Sequence, residues 1–343
     1  MGAGGDLQGG AKAPFFSVVI PVLNGGASFR LCLAALEDST FTDWELIVVD
    51  DGSDDGSDSA AKRLADRILS TEGRCGPAAA RNLGARHATG DFLFFVDADC
   101  SLHRDSLEIA ASVLRSDPGL DALFGSYDDR PTGSGLVSRF KNLQHHQVHQ
   151  AADEEAETFW AGCGAFRRPR FEELGGFDAN KFGRPSIEDI ELGYRLKASG
   201  GRIRLAKNVQ VTHHKIWTLT NLLRTDLLDR GVPWVLLLSE NRGSKSALNL
   251  SWKGRLSVFL GLALAPLLAC SLWDERFLAA ALVTAVAFVW INFGLLQLLW
   301  RSGGLALLLA GAGLLWIHQL VCALSLILGT LTHWFGPNRG LRV

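Results

Sequence analysis

The sequence predicts an α/β domain built on a parallel sheet, followed by apolar helices of membrane-spanning length. Three observations carry this. Short β-branched runs alternate with amphipathic stretches through the first part of the 343-residue chain, the pattern of βαβ units. One of those runs, FLFFVDADC from Phe92, empties straight into two aspartates. Beyond about Lys253, a chain mixed like a soluble domain becomes almost continuously apolar.

The elements follow in order. FFSVVIPVLNGG, from Phe15, reads as a strand closed by Pro, Asn and Gly. An amphipathic helix follows over about Ser28 to Leu36, its apolar residues at helical spacing. WELIVVDDGSDDGSD is a second buried strand that opens into an acidic Gly/Ser-rich loop, and a helix is expected from about Ser57 to Leu69. GPAAARNLGARHATG predicts a third helix, with Pro77 at its first position and Gly90 past its end. FLFFV is the next strand.

Side chains at i and i+2 of a strand share a face, so Asp97 and Asp99 present two carboxylates at the C-terminal edge of the sheet, where open α/β sheets bind ligands. Paired hard oxygens suit Mg²⁺ or Mn²⁺ completed by substrate phosphates. A divalent ion on a diphosphate is what a departing nucleoside diphosphate needs, which points to sugar transfer from a nucleotide sugar. Asp50 and Asp51 end the second strand on the same edge. They either accept a hydrogen bond from a nucleotide or form a solvated acidic turn. Arg81, one turn into the third helix, either reaches a phosphate from the helix N-terminal side or is an ordinary exposed arginine.

Three runs form the apolar region: Leu256 to Trp273, Phe277 to Trp300, and Leu305 to Phe335. Each reaches the roughly 18 residues that separate a span from a core helix. Trp252, Trp273, Trp300 and Trp334 stand near their ends, as interface anchors do. Lys253, Arg255 and Arg301 put the N-terminal domain on the cytoplasmic side under the positive-inside rule. The third run is longer than one span needs, and reads as one tilted helix or as a span with a re-entrant piece. Within it, His318 and Gln319 either bridge helices or touch a lipid phosphate.

The formal net charge of −2 excludes a polyanion partner, so no nucleic acid is expected. Six scattered cysteines without a C-x-x-C pair fit a reduced, cytosolic setting. Residues 1–14 lack an apolar h-region and read as a flexible tail rather than a secretory signal. The expected division is the α/β domain over 15–215, an amphipathic interfacial segment over 216–250, about three transmembrane helices over 251–335, and a tail over 336–343.

SVVIPVLNGG, ELIVVDDGSDDGS, GPAAARNLGARHATGDFLFFVDADC, FWAGCGAFRRPRFEELGGFD and SIEDIELGYRL occur in the order found in family 2 glycosyltransferases. The region from Ser17 to Trp234 resembles the GT-A fold of that family. The apolar helices resemble those of membrane-anchored bacterial-type members, such as polyprenyl-phosphate and envelope-glycan glycosyltransferases. The resemblance implies a cytoplasmic (inner) membrane enzyme, metal-dependent and inverting, with a nucleotide-sugar donor and a lipid-linked or glycan acceptor.

Residue by residue, it implies that Asp50, with Asp51 beside it, contacts the nucleobase and that Pro21 to Asn24 line the base pocket. Many relatives carry an acid after that asparagine, where this chain has Gly25. Asp97 and Asp99 resemble the ribose and metal ligands, with Asp99 the direct one and His213 or His214 a further candidate ligand. Asp189 resembles the general base, supported by Glu188, on a helix that Ser186 caps. Gly162, Cys163 and Gly164 resemble the acceptor-side segment, with Cys163 a buried small residue. Arg167 and Arg168 either meet a lipid phosphate or cover the surface. His145, His146 and His149 read as surface or acceptor-groove residues. Processive synthases of the family carry Q-x-x-R-W; here Gly-Val-Pro separates Arg230 from Trp234, which argues against a processive polymerase and leaves Arg230 to touch the donor diphosphate. Two rivals stand beside this reading: a nucleotidyl- or phosphotransferase using the same carboxylates, and a non-catalytic membrane scaffold.

Overall fold

The computed structural model describes residues 13–240 and 251–336. Most of both expected tails, and the end of the expected interfacial segment, lie outside the described residues.

The first half of the sheet follows the predicted alternation. β1 (Phe16–Val22), α1 (Gly26–Glu37), β2 (Trp44–Asp50), α2 (Ser57–Ala61), β3 (Arg67–Ser70), α3 (Pro77–His87) and β4 (Phe92–Val96) succeed one another. β1 lies between β2 and β4, and all three are parallel. Their residues are buried on both faces. Ile20 and Phe94 enter one apolar layer with Phe29 and Leu36, while Val19 and Phe95 enter the other with Phe159 and Phe166.

The helix expected to reach Leu69 stops at Ala61, and Arg67–Ser70 instead pairs with β2. The outer edge of β2 offers unpaired backbone groups that a strand satisfies and a helix does not. Asp66 starts the pairing by accepting the Leu46 N–H at 2.8 Å.

Beyond β4 come β5 (Cys100–Leu102), α4 (Ser106–Ser116), β6 (Ala122–Tyr127), α5 (Leu136–Ala151), β7 (Glu155–Ala156), β8 (Cys163–Arg167), α6 (Arg168–Glu173), α7 (Glu188–Ala198) and β9 (Ile203–His213). The strand order is β3-β2-β1-β4-β8-β6-β9-β5, with β7 also on β9. β8 runs antiparallel to both β4 and β6. The sheet is therefore mixed rather than all parallel. Reversing β8 sets its first residue, Cys163, opposite Val96 at the end of β4, so two chain segments meet at the edge where Asp97 and Asp99 emerge.

The expected interfacial helix is three pieces: α8 (Leu219–Arg224), a π-helical turn over Thr225–Gly231, and α9 (Val232–Ser239). α10 (Trp252–Cys270), α11 (Arg276–Ile291) and α12 (Phe293–Phe335) complete the described chain. α10 and α12 are long and apolar enough to cross a membrane; α11, at 16 residues, is shorter. The second apolar run breaks at Asn292, whose side-chain amide bonds Phe288 O and Ser257 Oγ. α12 leaves helical geometry at Gly303 and Gly304. From 305 to 335 it is one helix, which at 1.5 Å per residue spans about 46 Å, more than the roughly 30 Å of a hydrocarbon core. Phe259, Val283, Val286, Trp290 and Leu309 point outward, more than 60 % exposed. A third apolar cluster, joining Phe140 and Leu143 of α5 to Leu299, Leu307 and Leu315 of α12, welds the helices to the α/β domain.

Candidate active site

Asp97 and Asp99 lie not on β4 but in the tight turn between β4 and β5, closed by the Cys100 N–H bonding to Asp97 O at 2.9 Å. The turn sends the two carboxylates to different partners. Asp97 Oδ1 accepts from Arg81 at 2.6 Å, and the same guanidinium donates to Glu188 Oε1 at 2.8 Å. Arg81 is 5 % exposed, which removes the reading of it as a surface residue. Burial disfavours its charge, but Asp97 and Glu188 outweigh that and hold its proton more firmly than usual. Arg81 Nε is buried without a partner among the described residues, so its N–H is unpaired there.

Asp99 turns to His213. His213 Nδ1 faces Asn142 Oδ1 at 2.7 Å, which places the proton on Nδ1 and leaves Nε2 facing Asp99 Oδ2 at 3.5 Å. Asp99, Cys100 and His213 bring their ligand atoms within 4.8 Å of one another. Burial pushes the Cys100 thiol well above its ordinary value. Burial raises the Asp99 carboxyl too, but His213 when doubly protonated, with the Lys215 ammonium behind it, outweighs that and holds the group below its ordinary value. A carboxylate and an imidazole oriented by the Asn142 amide fit a hard or borderline divalent ion.

Asp189 stands in the first turn of α7, as expected. Ser186 does not cap that helix: its hydroxyl donates to Asp229 O at 2.6 Å. Asp189 Oδ2 accepts the Ala161 N–H at 3.1 Å and Oδ1 accepts the Ile190 N–H at 2.8 Å. Burial, with the Glu188 charge adding to it, pushes its carboxyl up to about 7. A carboxylate tuned near neutrality is fit to exchange a proton. Between the two acidic groups runs the small-residue segment. Ala161 holds Asp189, and Gly162 O takes the Asp97 N–H at 3.2 Å. A Cβ on Gly162 would lie 2.5 Å from the Trp160 ring, so glycine there is a steric requirement. Cys163 is buried, and its environment raises its thiol.

On the β2 side, Asp51 is fully engaged. It accepts from the Thr71 hydroxyl and the Cys75 N–H on one oxygen and from the Gly76 N–H on the other. It braces the start of α3. Asp50 Oδ1 takes the Ser53 N–H at 3.0 Å. Asn24, with a left-handed φ of 52°, accepts the Asp54 N–H through its side chain at 2.9 Å, while Pro21 lies in β1 opposite Val49. Next to Gly25, Asp55 of the following loop accepts the Gly26 N–H at 2.8 Å.

The histidines of α5 are not a surface face. Tyr127, which the sequence did not single out, stacks on His213 at 4.5 Å, on His145 at 5.5 Å and on His149 at 6.0 Å. Burial drives His145 well below its ordinary pKa and His149 to about 3, so both are neutral. Arg230 meets His145 Nε2 at 3.0 Å, which joins the π-helical turn to this stack. Arg167 is not part of the site. It pairs with Phe92 at the opposite end of the sheet, donates to Pro118 O and Leu120 O, and covers the Phe92 ring at 4.7 Å. Arg168, bonded to Gly90 O, stays at that end too.

Residues 17–175 match the model of glycosyl transferase family 2. This part of the chain is a family 2 glycosyltransferase domain. It is 33 % identical over 146 residues to glycosyltransferase AglE of Haloferax volcanii, covering 40 % of this chain and 48 % of that one. It is 36 % identical over 126 residues to a PGL/p-HBAD biosynthesis glycosyltransferase of Mycobacterium tuberculosis, covering 35 % and 49 %. The chain thus spans about half the length of these curated relatives. Among solved structures, mannosyltransferase PcManGT from Pyrobaculum calidifontis, in complex with GDP-Man and Mn²⁺, superposes with a TM-score of 0.57 at 20 % identity, over 95 % of this chain and 88 % of that one. The family 2 domain has the expected GT-A fold, and the likeness to PcManGT extends into the apolar helices, which are candidate membrane spans.

Proposed function

We propose that this protein is a membrane-anchored, inverting glycosyltransferase that moves a sugar from a nucleotide-sugar donor to a hydroxyl or phosphate oxygen of a lipid-linked or envelope-glycan acceptor. The observation that carries the reading is the pairing of two unlike acidic centres on one edge: Asp99, kept ionised beside His213, and Asp189, tuned to about 7. Pairs of acids pushed apart in this way divide the work of a reaction between them.

Asp99 and His213, with Asp97 nearby, would hold a Mg²⁺ or Mn²⁺ ion. Such an ion, when bound, supplies charge stabilisation for a departing diphosphate. The Mn²⁺ in the PcManGT complex supports a divalent ion here. Asp189 takes the proton of the acceptor as its oxygen bonds to the anomeric carbon. The bond from that carbon to the diphosphate breaks on the opposite face, releasing the nucleoside diphosphate and inverting the centre. Arg81 holds Asp97 and Glu188 in place and offers its unpaired Nε–H to an anionic donor. The loop of Pro21 to Asn24 and Asp50 lines the nucleotide end, and Gly162 to Gly164 let the acceptor approach. α10 and α12 anchor the enzyme, with the catalytic domain and Arg301 on the cytoplasmic face of the inner membrane.

The test is nucleoside diphosphate release by detergent-purified protein across a panel of nucleotide sugars, with Mn²⁺ or EDTA and a lipid extract. Release from one donor, abolished by EDTA and stimulated by lipid, is expected. Pyrophosphate as product would favour the nucleotidyltransferase rival, and silence without donor-induced stabilisation would favour the scaffold.

A further inference from the structure

A cleft of about 430 Å³ opens where the α/β domain meets the break in α12, away from the carboxylates described above. The connection after β6 lines it with Asp129, Arg130 and Pro131, α5 contributes Arg139, and α12 contributes Leu298, Arg301 and Ser302. Three guanidinium groups face one carboxylate. The break at Gly303 and Gly304 interrupts the carbonyl pairing of the helix, and Arg139 donates to the Ser302 carbonyl released there. A guanidinium has five donors, so that bond leaves Arg139 able to bind an anion as well. Arg130 is held only loosely, 3.9 Å from Asp129 and 86 % exposed. Arg301 is exposed beside Trp300, an aromatic at 51 % exposure. Leu305 and Leu309, on the far side of the break, are 58 % and 64 % exposed and continue the apolar surface. Arg and Trp side by side at the head of an outward apolar surface mark the level of lipid headgroups.

We infer that this cleft binds the phosphate of an anionic membrane lipid, and so seats the catalytic domain on the bilayer. The volume lies within the range of small-molecule sites, roughly 300–1,000 Å³, and basic pockets at the cytoplasmic ends of membrane helices suit anionic headgroups. The connection that carries Arg130 also reaches the catalytic edge: Thr132 Oγ1 lies 3.3 Å from His214 Nδ1, and the His214 N–H donates to Asp99 O. This inference rests on α10 and α12 being membrane spans.

The experiment is native mass spectrometry of the full chain released from detergent, with phosphatidylglycerol or phosphatidylcholine added, for wild type and the double variant R130Q/R301Q. Both substituted residues are exposed, so the variant folds, as size exclusion and circular dichroism will verify. Wild type should retain phosphatidylglycerol several-fold over phosphatidylcholine. The double variant should fall to the phosphatidylcholine level while donor-dependent nucleoside diphosphate release persists. Equal phosphatidylglycerol retention by both proteins overturns the assignment. So does full displacement of the lipid by millimolar inorganic phosphate that stabilises wild type equally well, which would make the cleft a free-anion site. Selective lipid retention by a wild type that turns over no nucleotide sugar would sink the transferase reading and leave this one standing.

Discussion

Two buried charge clusters are built on opposite balances. At the sheet edge one cation, Arg81, serves two carboxylates, Asp97 and Glu188, with Asp189 and Asp99 beside them. At the junction with the apolar helices one carboxylate, Asp226, is saturated. Lys141 Nζ lies 2.7 Å from both of its oxygens, His318 Nδ1 lies 2.9 Å from one, and Gln144 takes a further lysine proton at 3.2 Å. Lys141 and Asp226 are 2 % and 7 % exposed. The first cluster keeps surplus negative charge and spare lone pairs, so it is ready for a cation and a substrate. The second is closed on itself and works as a clasp between α5, the π-helical turn and α12. On the proposed function, equal burial serves chemistry in one place and assembly in the other, and the count of partners tells them apart.

Substitutions should separate the two most sharply at their acids. Asp189→Ala is expected to lower transfer by about 10²–10⁴-fold with donor affinity little changed, as nucleoside diphosphate release and donor titration will show. Substantial turnover would remove Asp189 from the chemistry. Asp226→Ala strands the Lys141 charge in the interior and should cost about 3–5 kcal/mol in chemical unfolding, whereas the double change Lys141→Met with Asp226→Leu recovers most of it. If Asp226→Ala unfolds like wild type, the clasp is ornamental.

The pH responses of the clusters should be opposite in sense. Burial opposes the Asp226 charge, but Lys141 outweighs it and depresses the carboxyl. A depressed carboxyl contributes stability above its unfolded pKa, about 3.9, and loses it as pH falls. Asp189 is raised instead, so its ionisation costs stability as pH climbs from about 3.9 through the folded value. Transfer should accordingly rise with pH through a limb near 7. Glu188→Gln removes a like charge and should move that limb to lower pH, a shift read from kcat/KM profiles. The smallest effect is expected at Arg167→Ala: roughly 1 kcal/mol of stability from the lost carbonyl bonds and the Phe92 contact, with transfer unchanged.

The contrast also explains what could be read from sequence. β1, β2, β4 and the aspartates at their ends were legible because buried strands write themselves as β-branched runs closed by turn residues. The position of Asp189 in the first turn of a helix was legible in the E-D pair that opens it. β8 was not legible as an antiparallel strand, since strand direction leaves no mark in Ala-Gly-Cys-Gly-Ala. Its reversal carries Arg167 to the far end of the sheet, although only a few residues separate it from Gly162. Arg81 stayed ambiguous because its two partners, Asp97 and Glu188, lie 16 and 107 positions away. Tyr127 and Asp226 carried no local signal at all, because each gains its meaning from side chains on elements distant in the chain. The single helix expected after Ile216 became α8, a π-helical turn and α9, and that widened turn includes Asp226 and Arg230, the residues that face the clasp and the histidine stack.

The welding of α5 to α12 has a consequence for the timing of biogenesis. Phe140 and Leu143 leave the ribosome long before Leu299 and Leu307, which bury them. Until α12 folds back, the nascent α/β domain carries an uncovered apolar stripe on α5. A chain cut after β9 would carry that stripe permanently and would be expected to aggregate or stay with chaperones. If α10 and α12 span a membrane as proposed, completion of the α/β domain is tied to arrival in the bilayer.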